Sequence, residues 1–232
     1  SKWLKLSDDA ELIGKEENYD ENISHTGSIN SVAWSPDSTK IVSASDDATI
    51  RIWSETKTEG LSYNQVLKID NADLVNSVAY DGEKIVSGSM DKIIHLWDEN
   101  GKDINPLIGH DGAVFSVAYD GTKIVSGSDD NTICVWKPSI PELLDTLKGH
   151  TDDVNSVAFD PTDSNIVVSG SDDKTIRVWD ISDESNGKCL STLKGHTRYI
   201  DSVGFNHDGT KIVSASGDQT IRVWNVSTGE CL

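Results

Sequence analysis

"SGSDDKTIRVWD", residues Ser169–Asp180, decides how this chain folds. The sentence returns as "SASDDATIRIWS" from Ser43, "SGSMDKIIHLWD" from Ser87, "SGSDDNTICVWK" from Ser126 and "SASGDQTIRVWN" from Ser214. The tryptophans of the copies, Trp53, Trp97, Trp136, Trp179 and Trp224, are spaced by 44, 39, 43 and 45 residues. A period of that size means a propeller or a solenoid of stacked units.

Each unit reads as three or four strands. In the fourth, "DDVNSVAFD" is β-rich and ends in the turn "DPTDSN"; "IVVSGS", a tight "DDK" turn, the alternating "TIRVWD" and "CLSTLKGH" follow. Units two, three and five carry a hairpin signal instead, at Asp81-Gly82, Asp120-Gly121 and Asp208-Gly209. No 3.6-residue period is sustained, and Val, Ile, Thr and Ser are too frequent for helices. A sheet of about four strands cannot bury both its faces alone, so the units are expected to stack face to face around an axis.

From about His25 to its end the chain resembles the WD-repeat (WD40) β-propellers. The resemblance rests on "GH" at Gly109-His110, Gly149-His150 and Gly195-His196, on "SH" at Ser24-His25, and on "WD" at Trp97-Asp98 and Trp179-Asp180. WS, WK and WN stand in the other units. The resemblance implies a hydrogen-bonded chain of His, Ser, Asp and Trp inside each blade. The matching sets are His25, Ser43, Asp47, Trp53; His110, Ser126, Asp130, Trp136; His150, Ser169, Asp173, Trp179; and His196, Ser214, Asp218, Trp224. A buried indole N–H needs an acceptor, a hydroxyl both donates and accepts, and a buried carboxylate needs a donor. Ser, His and Asp together also suggest hydrolase chemistry. Four near-identical copies with the same Trp describe an architectural rivet, so no catalytic residue is assigned. Unit two has Ser87, Asp91 and Trp97 but places Asp70 where the His belongs, and its blade is expected to be the least rigid.

The expected fold is all-β: a WD40-type β-propeller of four-stranded antiparallel blades with five repeats visible. Residues 25–66, 67–108, 109–148, 149–194 and 195–232 form the repeats, and 1–24 form an N-terminal segment expected to supply the closing outer strand. Seven units, the commonest number in the resembled family, would need close to 300 residues, more than this chain has. Two readings stand: a closed five-bladed ring, or part of a larger propeller. An open segment would expose apolar blade faces and oligomerise. The chain opens on Ser rather than Met, which leaves its natural start open.

Positions that recur in every unit are scaffold. Trp34, Tyr80, Tyr119, Phe159 and Phe205, closing the Val-Ala or Val-Gly segments, are expected in the core, as are the serines before those segments. Function should lie where a rim breaks the pattern. The resemblance places that rim at the start of the inner strand and at the turn before the rivet Asp: Ser28, Asn30 and Asp46; Leu74, Asn76 and Met90; Ala113, Phe115 and Asp129; Asp153, Asn155 and Asp172; Tyr199, Asp201 and Gly217. Leu74, Met90 and Phe115 are apolar on adjacent blades, which suits a partner anchor. Asp46, Asp129, Asp153, Asp172 and Asp201 add negative charge that suits Lys or Arg; the alternative is that Phe115 folds back to fill the central channel and the aspartates only form turns. His95 and His207 read as solvated surface residues without metal spacing. Arg51, Arg177 and Arg222 read as cross-strand braces or solvent-facing groups. The polar insertion "ETKTEGLSYNQ" before unit two reads as a contact loop or idle surface.

Charge bounds the partners. The 232 residues carry 39 acidic and 20 basic side chains, a net charge of −19. That excess argues against nucleic acid and anionic membranes, and it either keeps the chain in solution or suits a basic complement. Three cysteines, Cys134, Cys189 and Cys231, form no C-x-x-C pair, so neither a disulfide framework nor a zinc site is expected. Reduced thiols point to the cytoplasm or nucleus. No apolar h-region stands at the N-terminus, no run approaches the ~20 apolar residues of a membrane span, and no P-loop, Rossmann or metalloprotease motif occurs. The expected function is a non-catalytic scaffold that binds a protein or peptide on one rim, without metal or cofactor. The alternatives are a purely structural propeller within a larger assembly and a metal-dependent propeller enzyme.

Overall fold

The computed structural model describes residues 24–56, 60–68, 73–98, 100–183 and 185–232. Every regular element among them is a strand. Period-two alternation in segments such as "VNSVAF" and "TIRVWD" gives each strand two faces, and antiparallel pairing joins neighbours through short turns. Blade one holds β1 (Ile29–Trp34), β2 (Lys40–Ser45), β3 (Thr49–Thr56) and β4 (Gly60–Lys68). Blade two holds β5 (Val75–Tyr80), β6 (Ile85–Ser89), β7 (Ile93–Trp97) and the two-residue β8 (Leu107–Ile108). Blade three holds β9 (Val114–Tyr119), β10 (Ile124–Ser128), β11 (Thr132–Lys137) and β12 (Glu142–Lys148). Blade four holds β13 (Val154–Phe159), β14 (Ile166–Ser171), β15 (Thr175–Asp180) and β16 (Lys188–Lys194). Blade five holds β17 (Ile200–Phe205), β18 (Lys211–Ser216) and β19 (Ile221–Asn225), and an isolated bridge from Trp224 to Cys231 begins its outer edge. The molecule is a five-bladed β-propeller.

The turns follow the sequence signals. Gly82, Gly121 and Gly209 take the left-handed conformation that the Asp-Gly hairpins require. In the tight turn after each rivet Asp, Ala48, Lys92, Asn131, Lys174 and Gln219 all have φ between 62° and 74°. The insertion before unit two is not a loop: Glu55 and Thr56 pair with Leu61 and Gly60, so it lengthens the outer hairpin of blade one. The expected closing strand from the N-terminal segment lies outside the described residues, apart from Ser24.

The core sits between blades. Four apolar clusters fill the junctions one–two, two–three, three–four and four–five. Each joins one blade's Val and Ile pair, such as Val168 and Ile176, to the next blade's inner strand and tryptophan, such as Ile200, Val203 and Trp224. Hydrogen bonds repeat the same step: Ser31, Ser77, Ser116 and Ser156 Oγ accept the N–H of Val78, Val117, Val157 and Val203 on the following blade, at 3.1–3.2 Å. Among the described residues no such cluster joins blade five to blade one. Trp34, expected in the core, is therefore exposed, while Tyr80, Tyr119, Phe159 and Phe205 pack half-buried against the clusters.

Candidate functional site

The Ser-His-Asp sets are the first chemistry to weigh. In blade four, Trp179 Nε1–H donates to Ser169 Oγ at 2.8 Å. His150 Nε2 lies 2.7 Å from the same oxygen, and His150 Nδ1 lies 2.7 Å from Asp173 Oδ2. One assignment satisfies every atom: indole to hydroxyl, hydroxyl to Nε2, and Nδ1–H to carboxylate. The same chain runs through His25, Ser43, Asp47 and Trp53, through His110, Ser126, Asp130 and Trp136, and through His196, Ser214, Asp218 and Trp224. Burial opposes ionisation of Asp173, but hydrogen bonds from His150 and Thr175 outweigh it and hold the carboxyl far below its usual range. Each serine is buried beneath its indole, so no Oγ can meet a substrate. Burial pushes the Cys134 thiol up to about 11, which removes it as a nucleophile at neutral pH.

Blade two solves the missing rivet histidine differently, and here the reading of His95 is overturned. His95 is buried. Its Nε2 lies 2.9 Å from Asp91 Oδ2 and its Nδ1 2.6 Å from Asp103 Oδ2. Burial works to lower its pKa, but the two carboxylates outweigh it and raise the imidazole to about 9. Trp97 Nε1–H still donates to Ser87 Oγ, at 3.0 Å. Asp70 lies outside the described residues. His207 is exposed, as expected. Arg177 and Arg222 lie 5.9 and 6.0 Å from the Trp179 and Trp224 rings and donate to Cys189 and Cys231 Sγ, which makes them cross-strand braces. Arg51 is buried rather than solvent-facing.

The rim is assembled by a repeated backbone contact. The N–H of Asp46, Met90, Asp129, Asp172 and Gly217 donates to the C=O of Ser28, Leu74, Ala113, Asp153 and Tyr199, at 2.9–3.1 Å. Two residues later, the register slips around Asn30, Asn76, Phe115, Asn155 and Asp201 in all five blades. Such a bulge re-aims the side chain it carries. Three of these side chains turn to the next blade: Asn30, Asn76 and Asn155 Nδ2 donate to the C=O of Val75, Val114 and Ile200 at 2.9–3.1 Å. Asn30 and Asn155 also donate to Asp46 and Asp172. The asparagine positions thus brace the scaffold as well as lining the rim. Phe115 replaces that amide with a half-buried ring, Leu74 and Tyr199 are exposed, and Ala113 is buried. The Tyr199 ring lies over Gly217, in the space a Cβ there would take. Burial raises the Asp153 carboxyl, and Asp172, Asp152 and Asp129 add to the effect, so negative charge is crowded where blades three and four meet. Among the described residues no three His, Cys, Asp or Glu side chains converge as metal ligands would.

Blades of this pattern, riveted from within and bare at one rim, define a repeat propeller. The family model described as "WD domain, G-beta repeat" matches residues 20–54, 63–98, 101–137, 141–180 and 187–225, and the chain belongs to that WD40 family. A comparison with curated proteins found no match.

Proposed function

We propose that this propeller is a non-catalytic interaction platform whose rim binds a protein or peptide segment carrying an apolar anchor beside Lys or Arg. The observation that supports it most is a division of labour. The Ser-His-Asp sets are enclosed within their blades, while five bulged strand starts and five turns bring variable residues to one end. Leu74, Met90 and Phe115 give that end an apolar sector; Asp46, Asp129, Asp153, Asp172 and Asp201 give it negative charge, with Tyr199 exposed between. A cation placed near Asp153 would relieve carboxylate crowding, which favours basic partners over acidic ones. Three free thiols suit a reducing compartment, cytoplasmic or nuclear. Leu74→Asp and Phe115→Asp are expected to abolish capture of partners taken by the wild type from a cell extract, with melting unchanged for the exposed Leu74 position. Retained capture by both variants would remove the rim from the account.

A further inference from the structure

At the end of the molecule opposite the rim, the turns that leave the inner strands lean on one another. Pro36 of blade one packs against Gly82 of blade two, where an added Cβ would lie 3.4 Å from the Pro36 ring. Asp160 of blade four lies against Gly209 of blade five, where an added Cβ would lie 2.5–2.8 Å from Asp160 and Thr162 oxygens. Between blades two and three the Tyr119 phenol closes the step: it donates to the C=O of Gly121 at 3.1 Å and faces Asp81. The step from blade three to blade four stays open. Blade three turns in four residues, 120–123, and blade four in six, 160–165. Nothing lies within 4 Å of the Cβ position of Gly121, and Phe159 has no hydroxyl to offer Asp120. Burial records the difference. Of the five residues that open these turns, Ser35 and Asp160 are 3% and 8% exposed, Asp81 and Asn206 are half-buried, and Asp120 alone is exposed.

The opening is a cavity of about 510 Å³ with Tyr119, Phe159 and Pro161 as apolar walls and Asp120, Asp160 and Thr162 as polar ones; no Lys or Arg among the described residues lines it. Asp120 Oδ1 is occupied by the N–H groups of Thr122 and Lys123 and by the Thr122 hydroxyl, at 2.6–2.8 Å. The Lys123 ammonium is turned to Asn165 Oδ1 and the Ile181 C=O, 3.3 and 3.5 Å away. The field inside is negative: burial raises the Tyr119 phenol above its usual range, and Asp81, Asp120 and Glu83 raise it further.

We propose that this cleft between the turns of blades three and four binds an arginine side chain of a partner protein, its guanidinium paired with Asp120 and stacked on Phe159. Charge and shape choose the occupant. A cation supplies Asp120 with the donor that Tyr119 gives Asp81. A planar cation can lie on an aromatic face while its edge N–H groups reach the carboxylate, which an ammonium cannot do. The cavity has the size of a small-ligand site. Strand β9 runs six residues from rim to cleft, a separation of about 20 Å, so the cleft does not rest on the reading of the rim.

The probe is acetyl-Gly-Arg-Gly-amide, titrated into the full chain and followed by heteronuclear NMR at about 0.15 M NaCl. Saturable shifts are expected at the amides of residues 120–123 and 162–165. The citrulline analogue, which keeps the shape without the charge, should bind at least about tenfold more weakly. Phe159→Tyr adds the missing hydroxyl and should weaken binding of the arginine probe about tenfold without lowering the melting midpoint. Asp120→Asn should do the same while keeping the turn, because in blade five Asn206 Oδ1 accepts the Lys211 N–H in the equivalent place. Leu74→Asp at the rim leaves this binding unchanged, so failure here and failure at the rim are read separately. No saturable binding, shifts confined to other residues, or equal binding of the citrulline analogue overturns the proposal. A cleft already filled by residues 1–23 or by a second copy would give the first of these results. Variants that bind as the wild type does overturn it as well.

Discussion

At the residue scale, one side chain separates blade two from its sisters. His95 sits two positions before its tryptophan, where other units carry Arg or Cys, and lies between Asp91 and Asp103. Its pKa is raised from 6.5 to about 9, so the folded state binds a proton more tightly than the unfolded chain. The stabilisation is therefore complete below pH 6.5 and lost as pH rises through about 9. His25 works the other way: burial lowers its pKa, so its contribution declines as pH falls below 6.5. His95→Gln should thus cost about 2–3 kcal/mol near pH 6, at the low end for a buried ion pair because Asp103 is partly open. The difference from wild type should shrink by pH 9.5 in urea titrations. An unchanging difference would mean the histidine is held neutral. The sequence offered a signal for this role, a lone histidine in the one unit with neither "GH" nor "SH". It could not show that a loop residue twelve positions beyond Asp91 would close the triad.

At the element scale, three of the four packed junctions close over a glycine in the second strand, and the fourth over Ala44. A Cβ on Gly88, Gly127 or Gly170 would lie 2.6–2.7 Å from side-chain atoms of Val114, Val154 or Ile200 on the following blade. The methyl of Gly170→Ala must therefore displace Ile200 and Val203, and the expected cost is about 1–3 kcal/mol by urea unfolding. Ala215 holds the same position on the uncovered face of blade five, so Ala215→Gly should change stability only by the glycine effect, about 0.5–1 kcal/mol. Equal effects at the two sites would show that the junctions are looser than the packing describes. Strand pattern and turn positions were readable in "SVAF" and "DG". The bulge under each rim residue was not, because a slipped register leaves no trace in period-two alternation.

At the scale of the whole molecule, charge and shape pull apart. A net charge of −19 repels itself across the compact state. Raising NaCl from about 0.01 to about 0.15 M shortens the screening length from about 30 to about 8 Å. The melting midpoint should rise by roughly 2–4 °C, the equivalent of about 1 kcal/mol for a chain of this size. A fall would mean that attractive ion pairs dominate, a role for which the His-Asp contacts are too buried to be strongly screened. Ile29 and Val32 on blade one and Val213 and Ile221 on blade five are exposed, although their counterparts in the packed junctions are buried. Trp34 shows the contrast: it follows the same Val-Ala pair as the half-buried Tyr80, Tyr119 and Phe159 and is exposed, with no described blade packed against it.

The sequence by itself determined the repeating unit, its strands and hairpins and four of the rivets. These are local matters: hydrogen-bonding partners at constant spacing and apolar residues at period two recur whatever their neighbours do. Only the tertiary structure decided which repeated surfaces are covered, which asparagines brace the next blade, and that His95 takes the place of an absent histidine. Each of these depends on what lies across a junction, and a repeat that spells the same words in every blade cannot say which of its faces meets another.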